Sequence, residues 1–419
     1  MDLRPFACAH AAHPEWRMAL GLVVAQLEAQ WAGRAAPTLG WCYLTDHHAG
    51  AAEGLLAALR ARWPGTAWVG AVGIGVCADG VEYFDEPALA VMLAALPREQ
   101  FRVFSGRQPL PAAEPRGGFA AHTALVHADP GTPELQSLVA ELGDRVAGRY
   151  LFGGLASSRG RTVTLADGVC EGGLSGVAFA AGAGIVSRVT QGCQPLGPAR
   201  RIGRAERNLV YTLDGEPALD RLLADLGVSE REPREALARL RGTLVGLSDA
   251  EETAPFGLPP QNPEFATPAR RGAFGTETRV RHLVGIDPQQ RGVAVAEAVQ
   301  PGQLLAFCRR DTDAARRDLV RIAAEVRSAL EPEELPLAAP AYTAGADALP
   351  AGGRRILGAL YFSCTGRGGP HFGAPSAELQ LLRHALGEVP LVGFFAAGEI
   401  GHRHLYGYTG VLTVFTAPN

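Results

Sequence analysis

The sequence predicts an α/β protein, mixed α+β in detail, with two domains built from repeated β-α-β-β units. Each domain is expected to hold mixed parallel and antiparallel sheets with helices packed on them. Three observations lead there. A strand–helix–strand pattern recurs four times along the chain. Its second strand ends each time in an apolar residue followed by glycine. The intervening helices carry apolar stripes at helical spacing, bounded by capping and stop residues. At 419 residues the chain exceeds what one hydrophobic core ordinarily serves, so two domains are expected.

The first copy takes a β-prone run at 39–45, a helix at 48–62 and a second strand at 66–70. Strands at 88–95 and 101–104 follow it. The second copy reads 123–127, a helix at 133–142 and 150–153, then strands at 161–165, 176–180 and 185–189. A third is read at 208–213, with helices near 217–226 and 233–240 and a strand at 243–246. The fourth runs through 357–363, a helix at 375–386 and 391–393. The recurring pairs are Val69-Gly70, Phe152-Gly153, Val245-Gly246 and Val392-Gly393. Two strands joined by one helix should lie parallel with a right-handed crossover, and strands on short links should return antiparallel.

The helices carry their own punctuation. Thr132 is placed as an N-cap before Pro133 and Glu134, with Leu135, Leu138, Val139 and Leu142 on one face and Gly143 as the stop. Ser376 and Glu378 open a similar helix with Leu379, Leu382 and Leu386 on its stripe. The longest amphipathic segment, 312–330, follows Asp311 as its N-cap and aligns Leu319, Ile322, Ala323, Val326 and Leu330. The expected division is an N-terminal extension with a helix at 1–34, a first domain at 35–214 and a second at 215–419. The Pro/Ala/Gly-rich stretch 331–353 reads as a long loop inside the second domain.

Composition narrows the function classes. With 47% hydrophobic and 20% charged residues the chain is of ordinary globular type. A net charge of −4 leaves no electrostatic footprint for nucleic acid or an anionic membrane. All 39 basic residues are arginine, which fits a GC-rich coding sequence together with the abundant Ala, Gly and Pro. The seven cysteines are scattered and odd in number, with no C-x-x-C pair, so reduced thiols in a reducing compartment are expected. The first residues lack a basic start followed by an apolar run, and no stretch has the length and character of a membrane helix. A cytoplasmic protein without a cofactor is the expectation.

Particular segments resemble a known family. Residues 40–97, with Thr45-Asp-His-His-Ala49, Trp63-Pro64 and Val69-Gly-Ala71, are similar to the start of a FIST N domain. Gln191-Gly-Cys-Gln-Pro-Leu-Gly197 and Leu209-Val-Tyr-Thr-Leu-Asp-Gly215 resemble its end. Arg279-Val-Arg-His282, Phe307-Cys-Arg-Arg-Asp311, Phe362-Ser-Cys-Thr-Gly-Arg367, Gly393-Phe-Phe-Ala-Ala-Gly-Glu399 and Tyr408-Thr409 resemble a FIST C domain. The resemblance spans about residues 35–415. It implies a small-ligand sensor, for amino acids or their derivatives, that informs a separate signalling partner. It supplies no established catalytic set.

Ligands of such sheets favour the carboxyl ends of parallel strands, where loops meet helices. The loop 363–373 is the richest, bringing Ser363, Cys364, Arg367 and His371 into a Gly-rich turn before a helix. Arg367 is a candidate carboxylate anchor against a solvated surface charge. Glu399 is a candidate amine acceptor against an exposed strand-end carboxylate. For Phe394 and Phe395, a split between core and cleft lining is weighed against core packing of both, the default for such residues, with Phe394 placed in the ligand set. His47 joins it at the end of the first strand. Cys364 is weighed between a buried small residue, a ligand contact and a nucleophile; the arginine follows it too closely for a phosphatase loop. The glycines of 70–75 and 153–158 follow strands and match no phosphate-binding motif. His47-His48 and His402/His404 lack further ligands at metal spacing. Besides the binding reading, two others stay open: an interaction scaffold, and a Cys-dependent hydrolase or transferase.

Overall fold

The computed structural model describes residues 5–111, 118–228, 239–249, 278–331 and 353–418. It divides into a larger unit, Met1–Val189 with Leu319–His404 and Gly410–Asn419, and a smaller one, Thr190–Asp318 with Leu405–Thr409. The larger unit thus draws chain from both sides of the division expected near residue 214.

Three of the four expected repeats, the first, second and fourth along the sequence, build the larger unit as its first, second and third repeats. Leu39–Thr45 pairs in parallel with Ala67–Gly73, Thr123–Ala128 with Tyr150–Leu155, and Arg354–Cys364 with Leu391–Ala396. The helices Ala52–Arg62, Leu135–Asp144 and Ala377–Leu386 supply the crossovers. The recurring glycines face the preceding strand of their own repeat: Gly70 opposite Cys42, Gly153 opposite Val126, Gly393 opposite Tyr361. A Cβ at these glycines would lie 1.9, 2.0 and 1.6 Å from the carbonyl oxygens of Cys42, Val126 and Tyr361. Such distances are far inside van der Waals contact, so no side chain fits there.

Each parallel pair anchors a six-stranded sheet, and the repeats exchange strands in a cycle. After Ala67–Gly73 the chain moves on to Gly75–Ala78, which pairs with Leu391–Ala396 of the third repeat. After Tyr150–Leu155, Thr164–Ala166 pairs with Ala67–Gly73 of the first. After Leu391–Ala396, Glu399–His402 pairs with Tyr150–Leu155 of the second. These strands return antiparallel as expected, but each returns to another repeat's sheet. On the other flank, Ala88–Ala94, Leu174–Phe179 and Gly410–Pro418 pair antiparallel with the first strand of their own repeat.

The repeat register brings equivalent positions together in the core. One residue beyond Cys42, Val126 and Tyr361 stand Tyr43, His127 and Phe362. Their rings meet with centroids 5.5, 6.0 and 6.3 Å apart for the pairs Tyr43–His127, Tyr43–Phe362 and His127–Phe362. Phe394 packs against all three rings. A second aromatic group of Phe6, Trp41, Phe179 and Phe415 continues this interior. On the opposite face of the third sheet, Tyr361 and Phe395 pack with Leu379 and Leu382 of the crossover helix and with Leu319, Ile322 and Val326.

Several local expectations change. The segment 1–34 is more than an extension: Phe6–Ala12 pairs antiparallel with Ala88–Ala94, and Trp16–Trp31 is helical. Thr132 does not cap the second crossover helix, because its hydroxyl accepts the Gly173 N–H; that helix starts at Leu135 after Glu134 in a left-handed conformation. Ser376 likewise turns its hydroxyl to the Glu82 N–H. Asp311 does cap its helix, accepting the Ala314 N–H at 2.7 Å. Of the loop expected at 331–353, residues 332–352 lie outside the described residues.

In the smaller unit the third expected repeat takes another form. Leu244–Ser248 pairs antiparallel with both Arg279–Asp287 and Leu304–Arg310, so Val245-Gly246 does not close a parallel pair. Its apparent first strand divides into Leu209–Val210, which pairs with Gly292–Val295, and Thr212–Leu213. Helix Ala218–Leu226 buries Leu219, Leu222 and Leu226 with Val245, Leu247, Leu305 and Phe307. The expected helix at 233–240 lies largely outside the described residues.

Candidate functional site

The loop singled out by sequence closes on a buried polar network. Glu378, on the first turn of its helix, projects under the end of Arg354–Cys364. Its Oε1 accepts from the Tyr361 hydroxyl at 2.6 Å and from Arg367 Nε at 2.9 Å. Its Oε2 accepts from the Ser363 hydroxyl at 2.8 Å, and the Arg367 terminal nitrogen completes the ion pair. The Arg367 guanidinium also lies over the Phe372 ring, 5.1 Å from its centroid. Arg367, Ser363 and Glu378 are each 1% exposed.

Electrostatics follow from that enclosure. Burial and then the Glu378 charge push the Tyr361 phenol far above its ordinary range. Burial works against the Arg367 charge, but Glu378, Tyr361 and Glu399 together hold the guanidinium firmly protonated. Glu399 therefore acts electrostatically on Arg367, as its place near this turn required, yet it is completely buried on the strand pairing with Gly154. Nearby, Glu82 accepts the Gly369 N–H, and burial lifts its carboxyl above the ordinary value.

The expected ligand residues divide accordingly. Ser363 and Arg367 come together, with Glu399 in electrostatic reach. Arg367 is no open anchor, since Glu378 occupies its guanidinium inside the protein. Glu399 is no exposed strand-end carboxylate. Phe394 and Phe395 are both fully buried, on opposite faces of one strand, so neither lines a cleft. Cys364 is buried at the strand end, and His371 stacks edge-on against Phe372. His47 stands in the turn after the first strand, 3.4 Å from Asp46, whose carboxylate is clamped by Arg159. Among the described residues no group of three or more His, Cys, Asp and Glu side chains is arranged for a metal. Sequence reading missed Glu378 as the centre of the network: at the first turn of a helix an acid reads as a dipole partner, and nothing local shows that it points inward.

Among the described residues, two recesses of molecular size stand out in the larger unit. One, of about 250 Å³, is bordered by Cys8, Asp79 and Arg383. The other, of about 480 Å³, is lined by His122, Tyr150, Ser187, Arg188, Arg354 and Thr416, with Ile185 and Val186 on its apolar side. Arg188 is paired with Glu325 at 3.1 Å. Arg354 donates from Nε to the Thr416 hydroxyl at 2.9 Å, and its terminal nitrogen lies 3.5 Å from the Thr416 carbonyl oxygen.

Comparison with known proteins decides the family. Residues 38–216 match the FIST N domain and residues 218–402 match the FIST C domain. The chain belongs to the FIST family. FIST domains are associated with signal transduction and small-ligand sensing. Among relatives, an uncharacterized protein of Mycobacterium tuberculosis (strain ATCC 25618 / H37Rv) is 32% identical over 415 residues, covering 96% of this chain and 97% of its own. An uncharacterized protein of Mycobacterium bovis (strain ATCC BAA-935 / AF2122/97) is 30% identical over 414 residues, covering 96% of each. No helix among the described residues of the FIST chain is long and apolar enough to cross a membrane. In this FIST chain the two matched domains are interleaved: the first and second repeats come from FIST N, and the third lies at the end of FIST C.

Proposed function

We propose that this FIST chain is a cytoplasmic small-ligand sensor that binds an amino acid or a derivative and reports through a separate signalling protein. The observation that carries the reading is the recess of about 480 Å³ beside Arg354, a volume within the range of small-molecule sites. Among the described residues the side-chain donors of Arg354 meet the neutral oxygens of Thr416, which leaves its charge suited to a ligand carboxylate. The Arg367–Glu378 pair is the poorer place for a ligand. Entry there would break a buried ion pair at a cost of about 3–5 kcal/mol.

A thermal-shift screen of amino acids and their derivatives tests this, using wild type, Arg354→Ala and Arg367→Met. A ligand at a hundred times its Kd stabilises the protein by roughly 2.7 kcal/mol, enough for a clear rise in Tm. The expected result is a shift in wild type that Arg354→Ala abolishes. No response to any compound, or an equal response in Arg354→Ala, refutes the assignment.

A further inference from the structure

In the smaller unit, strand Cys193–Pro195 lies at one edge of the sheet, pairing antiparallel with Leu304–Arg310. Pro195 stands opposite Cys308, and Cys193 opposite Arg310. Cys193 and Cys308 are therefore diagonal neighbours on one face of the ladder. The opposite face holds Leu305 and Phe307 against the Ala218–Leu226 helix. The face bearing the thiols forms a separate small cluster of Cys193, Leu244, Val280 and Cys308. Both cysteines belong to this one small buried cluster, and their thiols lie within electrostatic reach of each other. Both are free thiols.

We propose that Cys193 and Cys308 form a redox-active dithiol that closes reversibly to an intrachain disulfide. The juxtaposition of two sulfurs on adjacent strands supplies the geometry. Cys193 is buried in the closed fold, so access comes through local opening of its three-residue edge strand, which has a single partner on the ladder. With hydrogen peroxide as oxidant, the Cys193 thiolate attacks one peroxide oxygen. The O–O bond breaks, Cys193 becomes a sulfenic acid, and one water leaves after protonation. The Cys308 sulfur then attacks the Cys193 sulfur, forming S–S and breaking S–O, and a second water carries off the oxygen with the remaining thiol hydrogen. Two thiols are oxidised by two electrons in total, and one peroxide is reduced to two waters. Dithiothreitol reverses the step by thiol–disulfide exchange. The linkage would join the FIST N stretch to the FIST C stretch, since the two cysteines fall in different matched segments.

The test treats the purified full chain with a small excess of hydrogen peroxide, then denatures it in the presence of an alkylating agent. Free thiols should fall from seven to five as one pair is consumed. Non-reducing peptide mapping should recover a Cys193–Cys308 linked peptide that dithiothreitol removes. In Cys193→Ser that linked peptide should vanish, with no loss of a thiol pair. Mapping of wild type stands alone should the variant fold poorly. Seven thiols remaining, a linkage between other cysteines, or single-thiol oxidation to sulfinic acid without a linked peptide overturns the proposal.

Discussion

Replacing Tyr43 and His127 together by phenylalanine removes the polar pair from the aromatic centre of the larger unit and leaves its shape nearly unchanged. The third repeat already carries Phe362 at the equivalent position. In the native protein His127 is fully buried, its Nε2 lies 3.1 Å from the Tyr43 hydroxyl, and among the described residues its Nδ1 has no hydrogen-bond partner. Burial lowers the imidazole from an ordinary 6.5 to about 3. Burial likewise raises the Tyr43 phenol, so both groups stay neutral. Because the folded value lies below the unfolded one, the unfolded chain binds a proton that the native chain refuses. The associated stability is complete above the unfolded value and is lost as pH falls from about 6.5 towards 3. Between about pH 7 and pH 5 this single group removes roughly 2 kcal/mol. Urea unfolding followed by tryptophan fluorescence at both pH values measures it. The double variant should lose less stability than wild type on acidification, by about that 2 kcal/mol. Using a pair avoids leaving the Tyr43 hydroxyl buried alone, which would cost about 1–3 kcal/mol. Equal pH responses in the two proteins would show that His127 is not held neutral by its surroundings.

Arg367→Met leaves Glu378 buried without its cation and should destabilise the fold by about 3–5 kcal/mol, read as a lower urea midpoint; an unchanged midpoint would mean that the ion pair contributes nothing. Gly393→Ala drives a methyl into the Tyr361 carbonyl, and a loss of roughly 4 kcal/mol or failure to fold is expected. Wild-type stability in that variant would remove the steric account of the recurring glycine. A fragment ending at residue 216, the limit of the FIST N match, lacks the third repeat and should show no cooperative thermal transition by circular dichroism. A sharp, reversible transition would show that the first two repeats suffice.

Sequence and structure agree where the determinant is local and part where it is not. The recurring apolar–glycine pair pointed to three real parallel units because its cause, a backbone too close for a Cβ, is the same in each. Val245-Gly246 has the same letters in an antiparallel setting, and only the pairing partner tells the two apart. The amphipathic stripe through Leu319, Ile322 and Val326 was readable, since burial leaves helical periodicity. Thr132 and Ser376 have the chemistry of N-caps, but tertiary partners at Gly173 and Glu82 claim their hydroxyls. At the candidate site, the sequence brought Ser363, Arg367 and Glu399 into one neighbourhood. It did not reveal the exposure of Arg367, because the acid that buries it lies one loop away. The Arg354 recess was invisible for another reason. Its walls come from segments as far apart as His122 and Thr416, with no motif joining them.

The cyclic trading of strands also bears on synthesis. Gly75–Ala78 is made early, yet its neighbour Leu391–Ala396 emerges from the ribosome more than three hundred residues later. The second sheet likewise waits for Glu399–His402. The nascent chain must therefore carry unfinished edges across that interval, and a protein so dominated by distant pairings is expected to assemble slowly.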